Sequence, residues 1–367
     1  MESIIMTPSR TFIKMRSRAF VCAAISVLFL LGMLPADVFS QADFYRGKTI
    51  TIIQDSSAGG VGNLRTNAVI ASLKKHVPGN PNIVIQFMEG AGGRKAANFL
   101  FNNARPDGLT IGRVGSGFVS SPILGSPGVL YDVNKFVYLG SGHSEGSTLF
   151  FTRKEVGLDS LDKLKKSTNL RIGGQSIGHS NYVAARLFAW LLDIKDPKFV
   201  VGYSGAEIDV AIAQGELDAR ANSVDAVIQR TPQFITDGLV HVHGVIEVPF
   251  GFRPNHPALA RLPALHDFAT SEREKRVVQM YVSFMQFLQA FVLPPNTPPE
   301  RVKTLKDAFA KVWKDKEFHE NWRTMTKGEP SPLMPEELES MVRAIPREPQ
   351  DVKLYNLISG EGPLPKR

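Results

Sequence analysis

The sequence predicts an α/β protein of two lobes, each a mainly parallel sheet flanked by helices, with a ligand cleft between them. Three observations carry this. From Lys48 onward, β-branched runs alternate with segments of helical spacing. The strand-to-helix turns are rich in glycine. A second alternating set follows after two strands that run out of the first. A βαβ order implies parallel strands joined by right-handed crossovers. The 367 residues, 43% hydrophobic and 21% charged, suit a globular chain with a sizeable core. At roughly 100–200 residues per domain, that length fits two.

The chain opens with a targeting pattern. Arg10, Lys14, Arg16 and Arg18 precede a mostly apolar run from Ala19 to Leu34 that is short for a membrane span. Ser40 and Ala42 are small residues suited to cleavage after Ala42. Residues 1–42 are therefore expected to be a signal peptide, and the chain to be exported to the periplasm. Cys22, the only cysteine, lies inside this apolar run. The mature chain then has no thiol nucleophile, disulfide framework or cysteine metal site.

The elements follow in order. "KTITIIQ" reads as a strand, "SSAGGVGN" as a glycine turn and "LRTNAVIASLKKHV" as a helix. "IVIQFM", "EGAGGR" and "KAANFLFNNA" repeat the pattern, and "LTIGRVG" is a third strand. "FVYLGSG" and "STLFFTR" lead out of this unit. The second unit has helix "SLDKLKKS", strand "LRIGG", helix "YVAARLFAWLLD" and strand "KFVVGY". Helix "AEIDVAIAQGEL" and strands "DARANS" and "LVHVHGVI" continue it. Pro249 to Pro263 is irregular; "MQFLQAFVL" ends a strand, and helices "PPERVKTLKDAFAKVWKD" and "MPEELESMVRAI" follow.

The net charge of +8 is spread along the chain, with no run of five basic residues and no zinc-finger or RNA-reading motif. It reads as a solvated surface that favours anionic solutes, not as a nucleic-acid site. Gly174-Gln175-Ser176-Ile177-Gly178 matches G-x-S-x-G, the turn that can carry a serine nucleophile. The preceding strand is short and carries Arg171, and no HGGG-type stretch supplies a second oxyanion donor. Spacing alone leaves Asp225 and His241 open as triad partners. A three-position match arises readily by chance, so catalysis by Ser176 is disfavoured. "GAGGRK" lacks the G-K-[ST] end of a P-loop, and Arg65 stands where a dinucleotide fingerprint has its third glycine. His241 and His243 share a strand face without a third ligand, so no metal or cofactor is expected.

Glycine turns can instead hold an anion. They let the backbone come close to a ligand, and the following helix N-terminus adds unpaired N–H donors and partial positive charge. Ser180 and Asn181 are expected to cap their helix or to donate to a carboxylate.

Taken together, "YRGKTITII", "HVPGNPNIVIQFMEGAGG", "ARPDGLTIG", "YDVNKFVYLGS", "LRIGGQSIGHSNYVAARLF" and "FVLPPNTPPERVKTLKDAF" resemble the solute-binding proteins of tripartite tricarboxylate transporters, the Bug or TctC-like family. The match runs from about Phe44 to Ile345, and "GNPNIVIQFMEGAG" followed by "PDGLTIG" is its most telling part. The resemblance implies a type II periplasmic-binding-protein fold with lobe 1 at 43–147 and 248–367, and lobe 2 at 148–247. It implies a non-enzymatic receptor that closes on a small carboxylate and delivers it to membrane permease subunits, acting as a monomer. A secreted serine hydrolase and a periplasmic sensor subunit are the alternatives.

Carried over residue by residue, the ligand contacts become Ser57, Gly59, Gly60, Gly62 and Asn63 on one lobe. On the other they are Ser176, His179, Ser180 and Asn181, with Ser116 and Gly117 between and Tyr203, Asn222 and Asp225 as further wall. The first turn departs from the family pattern. Ala58 replaces a proline, Val61 the third of three glycines, and Asn63 an aspartate, so this turn brings no negative charge.

Overall fold

The computed structural model describes residues 44–367 apart from Ser57, Gly59, Gly60 and Asn255. The expected signal peptide, and the contacts assigned to Ser57, Gly59 and Gly60, lie outside the described residues.

The first unit runs β1 (Thr49–Gln54), α1 (Val61–His76), β2 (Asn82–Phe87), α2 (Arg94–Asn102), β3 (Thr110–Val114), α3 (Ser116–Ile123) and β4 (Val137–Ser141). The second runs β5 (Gly146–Arg153), α4 (Leu161–Lys166), β6 (Arg171–Gly173), α5 (Ser180–Leu191) and β7 (Lys198–Val200). It continues with α6 (Gly205–Gln214), β8 (Ala219–Ser223), α7 (Val224–Arg230), α8 (Gln233–Thr236) and β9 (Val240–Val248). The chain then returns through α9 (Glu272–Met285) and β10 (Ala290–Leu293). It closes with α10 (Pro299–Lys314), α11 (Lys316–Thr326), α12 (Pro335–Ala344) and α13 (Pro349–Ser359).

Two five-stranded sheets result, ordered β2-β1-β3-β10-β4 and β7-β6-β8-β5-β9. In each, one interior strand opposes the other four: β10 in the first, β5 in the second. These two are the strands that arrive from the other unit. The chain thus crosses between sheets twice, at β4–β5 and at β9–β10. The α/β class with two mainly parallel sheets is as the sequence predicts.

Strand periodicity divides the core. On β10, Phe291 and Leu293 join the cluster under α1, α10 and α11, while Ala290 and Val292 face the opposite cluster. On β5, Leu149 and Phe151 pack beneath α6 and α7, while Phe150 enters that same opposite cluster. This large cluster runs from Leu100 and Phe118 of the first unit, through Val278 and Tyr281 of α9, to Phe188 and Ile246 of the second. The sheets therefore share a core along the line where the chain crosses. Among the described residues no helix is long and apolar enough to cross a membrane.

Several helices escape the sequence reading: α3, α7, α8, α9, α11 and α13. The α9 helix had a legible start, because Ser271 accepts from the Glu274 N–H and Glu274 reaches back to the Ser271 N–H at 3.0 Å. That is the S-x-x-E capping box.

Candidate functional site: a cleft between the sheets

The cleft is built from the turns at the carboxyl ends of the strands. After β2, Gly90, Gly92 and Gly93 all have positive φ, which folds the backbone tightly ahead of α2. A Cβ on Gly117 would lie 1.9 Å from the Gly92 carbonyl oxygen, so only a hydrogen fits where the turns after β2 and β3 meet. Asp55, just past β1, ties these turns together. Its Oδ2 accepts from the Gly115 N–H at 2.7 Å, and its Oδ1 accepts from Arg113 at 2.8 Å. Arg113 is buried beneath the first turn and also donates to Gln289 at 3.2 Å. Burial pushes its pKa down, and the Asp55 charge opposes that.

Between these turns and α5 of the second unit lies a cavity of about 580 Å3. Arg94, Ser116 and Gly117 line it from the first unit, and Ser176, His179 and Ser180 from the second. Tyr281 and Phe284 of α9 and Tyr355 of α13 add an aromatic wall. No Asp or Glu occurs among the described residues that line it.

Three helix N-termini border this cavity, those of α2, α3 and α5, and none has an acid in its first turn. Helices α4, α6, α7, α9, α10, α11, α12 and α13 each carry one there, as the helix dipole favours. The positive helix ends facing the cavity are thus left uncompensated.

His179 caps α5, a role the sequence reading gave to Ser180 and Asn181. Its Nδ1 accepts from the Asn181 N–H at 3.2 Å. Ser180 and Asn181 are already inside the helix, because the chain turns helical one residue beyond the imidazole. An accepting Nδ1 places the ring proton on Nε2, a donor. Burial, with Arg220 nearby, lowers the His179 pKa and keeps the ring neutral. The Asn181 side chain turns sideways and donates to Asn222 Oδ1 at 3.2 Å.

A smaller cavity of about 210 Å3 continues the cleft, and Met285 lines both. Here Arg65 of α1 donates to Asp225 of α7 at 3.3 Å, joining the two units. Burial pushes the Arg65 pKa down to about 10. His143 and Glu145 also line this space. Asn63 is half-buried on α1, with its Oδ1 buried and unpartnered among the described residues. A Cβ on Gly62 would approach the Arg113 guanidinium to 2.9 Å, so this glycine packs against the buried pair.

The structure thus brings Ser116, Gly117, Ser176, His179 and Ser180 around one cavity and Asp225 onto the other. The Asn181–Asn222 bond lies within the second unit. Tyr203 is not brought in; it packs against the core beneath α6. Sequence reasoning missed Arg94 and Arg65. Arg94 stood in view as the residue after "GAGG", where attention went to the missing P-loop ending.

The hydrolase geometry is absent. Strand β6 ends at Gly173 and α5 begins at Ser180, so exposed Ser176 sits on a loop and not at a sharp strand-to-helix elbow. Among the described residues the Ser176 hydroxyl makes no hydrogen bond to a histidine side chain; only its carbonyl accepts from the His179 N–H at 3.0 Å, and Asp225 is engaged by Arg65. A fluorophosphonate is expected to leave the protein unlabelled, as read by intact mass. Stoichiometric labelling lost in Ser176→Ala would overturn this. His243 is buried and bonded to Thr152 Oγ1 at 2.8 Å, which accounts for it structurally.

No protein-family model matches the chain, and no curated protein sequence does. Solved structures do. A TctC solute-binding protein from Polaromonas superposes with a TM-score of 0.60 at 16% identity, over 86% of this chain and 98% of its own. MatC from Rhodopseudomonas palustris, with bound malate, gives 0.57 at 19%, over 85% and 99%. The periplasmic binding protein BugD gives 0.58 at 19%, over 86% and 99%. The fold is that of periplasmic solute-binding proteins.

Proposed function

We propose that the protein is a periplasmic receptor that captures a small carboxylate and hands it to the membrane subunits of a tripartite tricarboxylate-type transporter. One observation carries the reading: the larger cavity is bordered by three acid-free helix N-termini and contains no carboxylate of its own. Such a space attracts an anion. The malate bound to MatC is in keeping with a carboxylate here.

In this reading the two sheets are the lobes, residues 43–147 with 248–367 and residues 148–247, and the crossings at β4–β5 and β9–β10 are the hinge. The α13 helix and the residue after it touch both lobes. Its Asn356 donates to the Leu124 carbonyl of the first lobe at 2.9 Å, while Tyr182 of the second donates to Gly360 O at 2.9 Å. An acid enters the open cleft, meets one set of donors, and closure brings the other onto it. Ser116 and Gly117 would contact it from one side. From the other come Ser176, Ser180 and the Nε2–H of His179. The first turn, with Ser57, Gly59, Gly60, Gly62 and Asn63, completes the first lobe's share. Export by residues 1–42 would deliver the chain to the periplasm.

The test is thermal unfolding of residues 43–367 against mono-, di- and tricarboxylates. A true ligand at 100 times its Kd is expected to stabilise the fold by about 2.7 kcal/mol. A well-folded protein that no acid in the panel stabilises would count against the receptor. Ser180→Ala should weaken binding of the best acid by about 10-fold, as expected for one lost hydrogen bond to a charged group.

A further inference from the structure

Building on the receptor reading, we infer that Arg94 is the specificity-determining residue of the cleft, selecting acids that carry a second anionic group. Arg94 is the first residue of α2 and lines the larger cavity. It is half-buried, and its guanidinium forms no hydrogen bond or ion pair with any described residue. An arginine that holds a fold together usually spends its five donors on carbonyls or carboxylates. Arg186 does so, donating to Gly362 O at 3.0 Å and to the Tyr182 hydroxyl at 3.3 Å. Arg94 does none of this.

Its position is also unfavourable unless something negative arrives. A cation in the first turn of a helix meets the positive end of the helix dipole. Here Arg94 is followed by Lys95, the N-cap is Gly93 with no side-chain cap, and no acid offsets them. Asp55, the carboxylate that ties these turns together, is committed to Arg113 and Gly115. A local rule broken at a cavity wall, without an internal partner, is the mark of a residue kept for a ligand.

The cavity has two ends in chemical terms. On the second lobe, Ser180 and neutral His179 present hydroxyl and imidazole donors and no full charge. On the first, Arg94 presents a planar guanidinium suited to bidentate contact with a carboxylate. A monoanion satisfies only one end and leaves Arg94 desolvated on closure. A dianion satisfies both, and links the lobes as it does so.

The experiment is calorimetric titration of wild type, R94A and R94K with matched pairs: α,ω-dicarboxylates of four to eight carbons and the monocarboxylates of equal length. Wild type is expected to prefer its best dicarboxylate over the matched monocarboxylate by on the order of 10- to 100-fold, the value of a charge-assisted hydrogen bond. R94A should remove that preference by weakening the diacid alone, and R94K should retain part of it. Equal weakening of both acids in R94A, or no change in either, overturns the inference and leaves the receptor standing. A wild type that prefers the monoacid overturns it as well. A wild type that binds no carboxylate sinks the receptor reading and this inference with it. Unaltered thermal unfolding of unliganded R94A shows that the residue holds no structural bond.

Discussion

Asp55→Ala is expected to destabilise the protein by about 3–5 kcal/mol, the usual cost of removing one partner from a buried ion pair. Two losses combine. Arg113 is only 4% exposed and would keep its charge without a counter-ion. The Gly115 N–H, now 2.7 Å from Asp55 Oδ2, would lose its acceptor in the gap between two packed turns. Neither turn can shift to compensate, because Gly117 already abuts the Gly92 carbonyl and a Cβ on Gly93 would stand 2.9 Å from Asp55 Oδ2. Urea unfolding measures the cost. Arg113→Met in the Asp55→Ala background is expected to recover much of it, since the orphaned charge goes. A single-variant loss below about 1 kcal/mol would show that water or a rearranged Gln289 takes over the guanidinium.

That pair also shows where sequence reading stops. The strands, the glycine turns and the two-lobed order were legible because periodicity and turn chemistry are local signals. "KTITIIQ" alternates, and glycines follow the strands wherever the chain must approach a neighbour. Asp55 and Arg113 are 58 positions apart, and nothing local says that a carboxylate at the end of one strand faces a guanidinium on another. The same holds for Arg65 and Asp225, which are 160 positions apart. The α9 helix was a different failure: its capping box was present, but the strand that follows drew the reading past it. At α5 the error was of one residue. A histidine is not among the preferred caps, so Ser180 looked like the start of the helix when His179 was filling that place.

One sequence signal at the site went unused. Reading each helix for an acid in its first turn separates α2, α3 and α5 from the long helices that follow α5. It also shows how charge spread evenly along the chain still yields a directed site: none of the three helix ends that border the larger cavity carries an acid, whereas eight of the other ten do.

Acidification from pH 7 to pH 5 should lower stability, and the reason lies in three histidines beside the cleft or in its supporting sheet. His143, His179 and His243 are each held below the ordinary imidazole value chiefly by burial. Arg65 adds to this at His143, Arg220 at His179, and His241 at His243, which is pushed down to about 4. Each ring is neutral in the native state, whereas the unfolded chain takes up its proton near pH 6.5. The stability they contribute is fully present above pH 6.5 and is lost as pH falls toward the native values. Between about 6.5 and 4, where native His243 stays neutral, that ring contributes about 1.4 kcal/mol per pH unit, and His143 and His179 add to the slope in the same direction. Glu274, held down near 2 first by its bond to Arg367, loses its contribution as pH falls from its ordinary value of 4.5 toward 2, below the measured span. The measurement is the urea midpoint at half-unit steps from pH 7.5 to 5, in wild type and in His243→Gln, which retains a donor for Thr152. The variant should show a slope shallower by about one proton. Equal slopes would mean that His243 takes up its proton as readily in the native state as in the unfolded chain, and a wild type that gains stability on acidification would overturn the burial argument for all three rings.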